Sequence, residues 1–317
     1  MFDVLVINAN PLLNLVHVGD YTPGAVNRVQ SLGMAAEGKG VNVARVLARH
    51  GHSVILTGFA GGHSGAWLRE IVRSEGIRDA CVETAAPLRV GFMASGGGEH
   101  PTTVLPNGFP VTAEECQTLL DRVETLLGSV RLVIASGSVP DPLADGLYVE
   151  VLALCARRAV PCWLDAYGPA MGLALAGPVP PGLSKPNREE LEQSFHWERV
   201  EELHITDGAD AIEVSSRQEG RWRMLPPAIR QVNPVGSGDC YLAGLAHGWL
   251  LGRALPDRLR YAVAAGTANA LRPDVAMIAP HDIKPLLDQV CLNRLSRPHP
   301  TAGFEGVRFS SQARAGG

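Results

Sequence analysis

Residues 231–244 read "QVNPVGSGDCYLAG" and place a bare turn between an extended segment and an apolar run of helical spacing. Gly236 and Gly238 lack a β-carbon, so the backbone there can turn tightly and point its N–H groups at one spot. That spot lies at the positive end of the dipole of the helix that follows. We therefore predict a strand–turn–helix unit whose turn binds an anion.

Extended segments followed or preceded by helical ones recur along most of the chain. The strand-like segments are 2–9, 53–61, 131–138, 161–167 and 182–187, and the helical segments are 38–51, 64–76, 112–128, 147–158 and 188–195. Strands that alternate with helices indicate a parallel sheet covered by helices on both faces. The fold class predicted from this order is therefore α/β.

Two regions break the alternation. Residues 10–30 and 89–108 contain short strand-like runs with no helix between them, which we interpret as a small antiparallel sheet that forms a lid over the main strands. Farther on, antiparallel strands are predicted over 202–216 and 221–232, and helices over 239–252, 256–271 and 281–290. We predict one domain over residues 1–295 and a flexible tail over residues 296–317, which are poor in apolar side chains.

The composition argues against several classes of partner. The net charge is −4 with no basic cluster, so neither nucleic acid nor an anionic membrane is an expected partner. No signal peptide and no run of about 18 apolar residues is found, which favours a cytoplasmic location. The 6 cysteines form no C-x-x-C pair, so we expect reduced, mostly buried thiols rather than a zinc site or disulfides.

Asp239 directly follows the glycine turn, where its carboxylate would repel a bound anion. One explanation is that Asp239 caps the helix, since Asp is favoured at helix N-termini. The other is that it accepts the proton of a substrate hydroxyl that attacks a phosphoryl group held by the turn. On the second explanation, one turn supplies both a base and the stabilisation of negative charge.

A second glycine pair opens the helix predicted in "AAEGKGVNVARVLARHG" (35–51). Lys39 stands between Gly38 and Gly40, and Asn42 lies one turn inside the helix. Glycines at such a position let the backbone approach an anion, while a lysine adds positive charge. The alternative is an ordinary tight turn with a solvated lysine.

A third motif, "SKPNREE" (184–190), follows a predicted strand and contains Lys185, Asn187 and Glu190. The N-x-x-E spacing puts an amide and a carboxylate on one face of a helix near its start. Oxygen ligands of this kind suit hydrated Mg²⁺ beside phosphates. The alternative is that the two side chains cap the helix.

These three motifs, in this order, resemble the signatures of the PfkB (ribokinase-like) family of carbohydrate kinases. The segments "ASGSVP" (135–140) and "LDAYG" (164–168) also look like elements of that family, and the likeness spans residues 1 to about 290. Asn10-Pro11, "GAVNRVQ" (24–30) and "ITDGADAIEV" (205–214) resemble the branch of 1-phosphofructokinase, tagatose-6-phosphate kinase and the minor 6-phosphofructokinase. The resemblance implies a ribokinase-like three-layer αβα fold, the substrates ATP and a ketohexose phosphate, and Mg²⁺, and it leaves a monovalent cation open.

The resemblance also implies roles for individual residues. Asp239 is the base, and the amides of Gly236, Ser237, Gly238 and Asp239 form the anion hole for the transferred phosphoryl group. The sugar phosphate is contacted by Asn14, Arg28, Gly38, Lys39, Gly40, Asn42, Arg89 and Ser138. The nucleotide is contacted by Lys185, Asn187, Thr206, Gly208, Gly238 and Asn269, and magnesium is held through water by Asn187 and Glu190. Arg28, Lys39 and Arg89 suit a substrate phosphate chemically, and the alternative for each arginine is a solvated surface charge. A homodimer formed through the lid sheet is also implied.

Four departures from the family pattern fall mainly on the sugar side. Asn14 stands where the family usually has the aspartate of "NPxxD", which binds sugar hydroxyls. "LRVG" (88–91) replaces "TRxN", "TTVLPNGF" (102–109) replaces "TEINEPGP", and Pro234 replaces a common threonine. The nucleotide half of the pattern is therefore better preserved than the sugar half.

The sequence leaves three functions open. The first is a kinase of a ketohexose phosphate, which the branch resemblance favours. The second is a kinase of a nonphosphorylated sugar or nucleoside on the same scaffold. The third is a sugar-phosphate-binding sensor without transfer activity, against which the retained Asp239 argues because a binder needs no base. A nicotinamide-binding protein is disfavoured, since "INANP" rather than G-x-G-x-x-G follows the first predicted strand.

Overall fold

The protein is described from a computed structural model that covers residues 1–22, 24–30, 32–95, 101–193 and 195–295. The predicted tail over 296–317 lies outside the described residues. The strands are β1 (Phe2–Ile7), β2 (Leu12–Val18), β3 (Gly33–Glu37), β4 (Val54–Thr57), β5 (Arg78–Asp79), β6 (Val90–Ser95), β7 (Thr102–Val104), β8 (Val130–Ser136), β9 (Cys162–Asp165), β10 (Leu183–Ser184), β11 (Glu202–Ile205), β12 (Ile212–Ser216), β13 (Gly220–Leu225) and β14 (Cys291–Leu295).

Most helices lie at the predicted segments, but the helix over 168–176 was not predicted and the helix expected over 188–195 spans only 188–191. The helices are α1 (Lys39–Arg49), α2 (Gly62–Ser74), α3 (Ala113–Leu127), α4 (Leu147–Arg157), α5 (Gly168–Ala176), α6 (Arg188–Leu191), α7 (Ser237–Leu250), α8 (Leu255–Ala270) and α9 (Pro280–Ile283). Short 3₁₀ turns occupy Pro142–Ala144, Trp197–Arg199 and Lys284–Gln289. The last predicted helix, 281–290, is therefore one α-helical turn continued by a 3₁₀ helix.

The main sheet has ten strands in the order β14-β13-β12-β11-β10-β9-β8-β1-β4-β5. All pairs from β11 to β5 are parallel, whereas β12, β13 and β14 pair antiparallel at the other end. Among the helices, α7 contacts α1 and α8, and α8 also contacts α9, while α4 contacts α3 and α5. The predicted α/β fold, a mainly parallel sheet with helices, is therefore confirmed.

The core lies on both faces of the parallel strands. Val4, Leu5, Val6 and Ile7, which are consecutive residues of β1, are all fully buried. A strand buried on both faces needs a continuous apolar run instead of alternating polar residues. This requirement explains why "VLVI" marks the centre of the sheet.

The small sheet has the strand order β3-β2-β6-β7. Its outer pairs are antiparallel, as expected, but the central pair of β2 with β6 is parallel. Both strands leave the carboxyl edge of the main sheet, β2 after β1 and β6 after β5, and therefore run in the same direction. The prediction of a small separate sheet is confirmed, and the prediction of purely antiparallel pairing is corrected for the pair of β2 with β6.

Two segments near the end of the chain differ from the sequence-based prediction. The strand expected over 221–232 ends at Leu225, because Pro226 and Pro227 follow and proline has no N–H to donate to a sheet. Residues 291–295 form β14, which pairs with β13 and was not predicted. β14 is only five residues long and its partner strand lies about 70 positions away, so no local pattern identifies it as a strand.

Two further expectations concern the whole chain. No helix among the described residues combines the length and the apolar character needed to cross a membrane. All 6 cysteines are free, and Cys81, Cys155, Cys162 and Cys240 are buried, Cys116 is partly buried and Cys291 is exposed. Four of the six are therefore buried, in agreement with the expectation of mostly buried thiols.

Candidate active site

A cavity of about 820 Å³ opens at the carboxyl ends of the parallel strands. Asn8, Gly137 and Lys185, which directly follow β1, β8 and β10, all line it. Most of the residues selected from the sequence also line it: Gly38, Lys39, Asn42, Arg89, Ser138, Lys185, Asn187, Glu190, Thr206, Gly208, Gly236, Ser237, Gly238 and Asp239. The fold therefore brings together motifs that are up to about 200 residues apart in the chain.

The turn before α7 has the strained backbone that its glycines predicted. Gly236 is the N-cap residue and has a left-handed backbone, with φ of 82°. A side chain there would be strained, and its Cβ would lie 2.7 Å from Cγ1 of Val275. Glycine at this position is therefore required by both the backbone conformation and the packing.

The amides of this turn supply a smaller anion hole than the one expected. The N–H of Ser237 donates to the carbonyl of Pro234 at 3.1 Å, so it is not free for a ligand. Within the described chain, the N–H groups of Gly236, Gly238 and Asp239 have no backbone acceptor, and those of Gly238 and Asp239 belong to the first turn of the helix. These two amides, at the positive end of α7, can hold an anion.

Asp239 does not cap the helix, because α7 has no side-chain cap hydrogen bond. Its carboxylate is buried at 6% exposure, lines the cavity, and accepts a hydrogen bond of 2.8 Å from Nδ2 of Asn42. Burial raises the pKa of Asp239 to about 6, while the charge of Lys39 and the Asn42 hydrogen bond oppose that rise. The carboxylate is thus set to exchange a proton near neutral pH.

Asn42 is oriented by a residue that the sequence analysis did not select. Its Oδ1 accepts a hydrogen bond of 3.2 Å from the buried guanidinium of Arg45, which also donates to Glu75 and to the carbonyl of Ala36. Because a guanidinium only donates, it fixes Oδ1 toward Arg45 and leaves Nδ2 facing Asp239. The i, i+3 spacing of Asn42 and Arg45 on α1 was the available signal.

Two lysines flank the turn and share one buried carboxylate. Oδ1 of Asp165 lies 3.7 Å from Nζ of Lys39 and 3.7 Å from Nζ of Lys185. Burial alone would lower the pKa of Lys39, but the carboxylates of Asp165, Glu190 and Asp239 outweigh it and raise that pKa well above its ordinary value. Lys39 therefore stays charged inside the cavity. Asp165 was noted in the motif "LDAYG" but was not selected as a site residue.

Lys185 also explains the second glycine of the turn. A Cβ on Gly238 would lie 3.0 Å from Nζ of Lys185, so the ammonium group sits directly against the turn. This close approach places a positive charge beside the two unpaired amides. The arrangement suits an anion with several oxygens, such as a phosphoryl group.

Asn187 and Glu190 form a capping box at the start of α6. Oδ1 of Asn187 accepts from the N–H of Glu190 at 2.7 Å, and Oε2 of Glu190 accepts from the N–H of Asn187 at 3.0 Å. The capping alternative is therefore realised, and Oε1 of Glu190 is 3.2 Å from Nζ of Lys39. No group of three or more His, Cys, Asp or Glu side chains suited to a metal occurs in the described ranges. Mg²⁺ needs only one or two carboxylates together with waters and phosphate oxygens, so Glu190 still fits such an ion.

One end of the cavity is apolar. It is bordered by Thr206 and Gly208, and its apolar lining is formed by Ile212, Pro226, Pro227, Ala228, Ile229, Val263 and Ala270. A flat aromatic ligand such as a nucleobase suits a lining of this kind. The proline-containing segment over 226–229 was interpreted as a strand, so its contribution to the cavity was missed.

The opposite end lies beside the lid and is more polar. Arg89 lines it, but its guanidinium donates to the carbonyls of Asn10, Pro11, Pro106 and Asn107. Burial also lowers the pKa of Arg89. The expected role of Arg89 in binding a substrate phosphate therefore competes with a structural role that joins the lid to the loop after β1.

Two other residues shape this end. Oγ of Ser138 accepts a hydrogen bond of 3.0 Å from Asn10, so the hydroxyl is held at the cavity wall. Nδ2 of Asn8 is buried without a hydrogen-bond partner among the described residues, and Asn8 also lines the cavity. Polar residues directly after a buried strand, as in "INAN", were the signal for Asn8.

Four selected residues do not line the cavity. Arg28 is exposed in the loop after β2, and Asn14 is fully buried inside the lid. Gly40 packs against Asn8, because a Cβ on Gly40 would be 2.6 Å from that of Asn8. Asn269 is fully buried and supports the turn from behind: it donates to the carbonyl of Val235 and to Oγ of Ser237. Direct ligand contacts by these four residues are not supported by the geometry.

The structural similarity is extensive, although the sequences have diverged. A Thermotoga maritima protein described as a "possible 1-phosphofructokinase" is 22% identical, with a TM-score of 0.85 over 92% of this chain and 99% of that one. Phosphofructokinase-2 from Escherichia coli in complex with potassium is 21% identical, with a TM-score of 0.81 over 91% and 99%. The structure of that enzyme in complex with fructose-6-phosphate is also 21% identical, with a TM-score of 0.78 over 91% of this chain and 99% of that one. These likenesses establish the ribokinase-like fold.

Membership of a family rests on the sequence match. The profile of the "pfkB family carbohydrate kinase" matches residues 12–281, which include both glycine motifs and every side chain placed around Asp239 above. This match covers most of the chain, and the fold and the cavity agree with it. The chain belongs to the pfkB family of carbohydrate kinases, which are phosphotransferases that act on a sugar hydroxyl.

Proposed function

We propose that the protein transfers the γ-phosphoryl group of MgATP to a hydroxyl of a ketohexose phosphate, with Asp239 as the base. The observation that carries this proposal is the placement of Asp239. Its buried carboxylate lies in the first turn of α7, beside the unpaired amides of Gly238 and Asp239 and close to Lys39 and Lys185. A proton acceptor and an anion hole therefore occupy one turn.

Each part of the cavity has a place in this reaction. The adenine and ribose occupy the apolar end near Gly208, and the phosphates extend toward Lys185 and the turn before α7. The sugar lies beneath the lid, with its reacting hydroxyl at Asp239. Because little covalent chemistry falls to the protein, holding the two groups in line and stabilising the transferred charge supply most of the rate.

Asp239 accepts the hydroxyl proton as the new P–O bond forms, and the bond from the γ-phosphorus to the ADP oxygen breaks. The amides of Gly238 and Asp239 stabilise the charge on the transferred group, and Lys185 stabilises the charge left on the nucleotide. Glu190 and Asn187 would hold Mg²⁺ through water, and the ion supplies charge neutralisation between the phosphates. A monovalent cation is a further candidate cofactor, since the Escherichia coli enzyme was solved with potassium.

The substrate class rests on the branch motifs and on the relatives. Phosphofructokinase-2 has been solved in complex with fructose-6-phosphate, which makes ketohexose phosphates the first substrates to test. A nonphosphorylated sugar is the second candidate. It is favoured by Arg89, whose donors are occupied by backbone carbonyls, and by the exposed position of Arg28, away from the cavity.

The test is ATP consumption measured with matched pairs of free and phosphorylated ketohexoses. We expect phosphorylated sugars to give the highest kcat/KM, and a clear preference for the free sugar would support the second candidate. The Asp239→Asn variant should bind ATP normally but lose turnover. Binding of sugars by the wild-type protein without any ATP consumption would make it a sensor and overturn both kinase proposals.

We also propose a homodimer formed through the lid sheet, as the family resemblance implies. The lid sheet exposes apolar side chains, namely Val18, Met34, Val90 and Val104. Exposed apolar groups on adjacent strands suit a protein interface. Light scattering should give a dimer mass for the wild-type protein and a monomer mass after Val104→Asp, and a monomeric wild-type protein would contradict the proposal.

A further inference from the structure

Glu37 is the one carboxylate at the lid end of the cavity, among the described residues that line it, and the mechanism above does not use it. It is the last residue of β3 and directly precedes Gly38. Its side chain is mostly buried, with 9% of the residue exposed, and it lines the cavity wall. An acidic group in such a place needs donors to satisfy it.

The residues that the structure describes supply only one such donor. Nδ2 of Asn14 donates to Oε2 of Glu37 at 2.9 Å, and in the described part of the chain Oε1 receives no hydrogen bond. Asn14 is fully buried and does not line the cavity, so it can act on a ligand only through Glu37. One oxygen of Glu37 is thus held in place, and the other is available to a ligand.

The surrounding charges do not satisfy this carboxylate. Arg45 is the cation that acts on it, but the guanidinium of Arg45 donates to Glu75, Asn42 and the carbonyl of Ala36. As a result burial dominates and raises the pKa of Glu37. A ligand that brought hydroxyl donors to Oε1 would therefore relieve an existing deficit of hydrogen bonds.

We propose that Glu37 binds one or two hydroxyl groups of the sugar substrate and that Asn14 positions it for this contact. The inference rests on the proposed kinase function and adds a specificity-determining residue to it. A carboxylate repels a phosphate, so Glu37 must face hydroxyl-bearing carbons rather than a phosphate group. In this chain, the carboxylate that can accept from sugar hydroxyls is that of residue 37 in β3, whereas the side chain of Asn14 in β2 is neutral.

The first test is Glu37→Gln, which keeps the size of the side chain and removes the charge. We expect kcat/KM for the sugar to fall by about 10-fold to 100-fold, because a hydrogen bond to a charged acceptor becomes one to a neutral group. The KM for ATP should not change, since Glu37 is at the opposite end of the cavity from the apolar lining. Glu83→Gln is the control, because Glu83 is also a glutamate that accepts a hydrogen bond, from the N–H of Gly62, but it lies outside the cavity.

The second test pairs the variant with deoxy sugars. A sugar that lacks the contacted hydroxyl should react about 10-fold to 100-fold more slowly than its parent with the wild-type protein, and at nearly the same rate as its parent with Glu37→Gln. If no deoxy sugar shows this loss of discrimination in the variant, the proposal is wrong. Glu37→Asp, which keeps the charge on a shorter side chain, replaces Glu37→Gln if that variant does not bind ATP, and an unchanged sugar KM for Glu37→Asp would overturn the proposal.

These experiments distinguish a failure of the proposed kinase function from a failure of the proposed role of Glu37. Absence of sugar-dependent ATP consumption by the wild-type protein with every sugar would overturn the kinase function itself. Normal sugar-dependent turnover with an unchanged sugar KM in Glu37→Gln would overturn only the role of Glu37. A rise in the sugar KM for Asn14→Ala, smaller than that for Glu37→Gln, would support the positioning role of Asn14.

Discussion

Nδ2 of Asn42 donates a hydrogen bond of 2.8 Å to Oδ2 of Asp239, and the two residues are 197 positions apart in the chain. Asn42 belongs to the first glycine motif and Asp239 to the last. The contact joins the first turns of α1 and α7, so the sugar side and the phosphoryl side of the cavity share one hydrogen bond. It also stabilises the charged form of the proposed base, since a donor to a carboxylate lowers its pKa.

The rate should therefore depend on pH through Asp239. Its pKa is raised to about 6, mainly by burial, and only the deprotonated carboxylate can accept a proton. We expect kcat/KM to fall tenfold per pH unit below about pH 6 and to be level just above it. Asn42→Ala removes the hydrogen bond that opposes this rise in pKa. In that variant, the acidic limb of the pH profile of kcat/KM should therefore move to higher pH.

Arg45→Gln tests whether the orientation of Asn42 matters. Without the guanidinium, the amide of Asn42 can rotate and present its oxygen to Asp239, which should move the acidic limb in the same direction as Asn42→Ala. A purely structural role for Arg45 would lower the melting temperature and leave the pH profile in place. Measuring both the profile and the melting temperature separates the two.

Asp239→Asn should lose activity and gain stability. In the folded protein the pKa of Asp239 lies above its ordinary value. The protonated side chain therefore contributes fully to stability when the pH is below that ordinary value, and this contribution is lost as the pH rises through about 6. At pH 7.5 the buried charge costs on the order of 3 kcal/mol, which the neutral amide avoids.

We therefore expect a higher melting temperature for Asp239→Asn at pH 7.5 and a difference that disappears toward pH 4. The rate should fall by about 10²-fold to 10⁴-fold. Thermal melts over this pH range, together with turnover, check both halves. A variant that is slow but less stable at pH 7.5 would show that the carboxylate serves the fold.

Gly236 and Gly238 should respond differently to substitution by alanine. Gly236→Ala puts a side chain on a left-handed backbone against Val275, and the strain should cost about 1–3 kcal/mol of stability. Gly238 lies in the first turn of α7, where replacing glycine by alanine leaves the free energy of unfolding unchanged or raises it by up to about 1 kcal/mol. The Cβ of that alanine instead meets the ammonium of Lys185.

Turnover and melting temperature should thus change independently in the two variants. Gly238→Ala is expected to keep the melting temperature and to lose turnover by at least about tenfold, because Lys185 and the anion hole are disturbed together. For Gly236→Ala, the main expected effect is a lower melting temperature. Full turnover in Gly238→Ala would show that no ligand approaches this turn closely.

The sequence predicts those parts of the fold whose causes are local. The buried run of β1 and the glycine turns before α1 and α7 follow from apolar periodicity and from backbone freedom, so their positions could be inferred. β14 could not be inferred, because its pairing with β13 depends on a partner about 70 residues away. The parallel pairing of β2 with β6 depends in the same way on where both strands leave the main sheet.

The site shows the same limit. Asp239 and Lys39 were found because glycine motifs marked them, and Lys185 was found in the motif "SKPNREE" after a predicted strand. Glu37 and Arg45 lie in the same stretch as Lys39, but their importance depends on contacts with Asn14 and Asn42 that no local pattern reveals. A charged residue directly before a glycine pair was the available signal for Glu37.

Arg89 provides the final test, because its chemistry suggests one role and its contacts another. A guanidinium beside a sugar cavity suits a phosphate, yet four backbone carbonyls already accept from this one. Arg89→Gln should therefore lower the melting temperature, with a loss of about 2–4 kcal/mol for carbonyls left without a donor. The KM should rise by similar factors for a free sugar and for its phosphate, since the lid itself is displaced. A rise confined to the phosphorylated sugar, with an unchanged melting temperature, would instead make Arg89 a direct phosphate ligand.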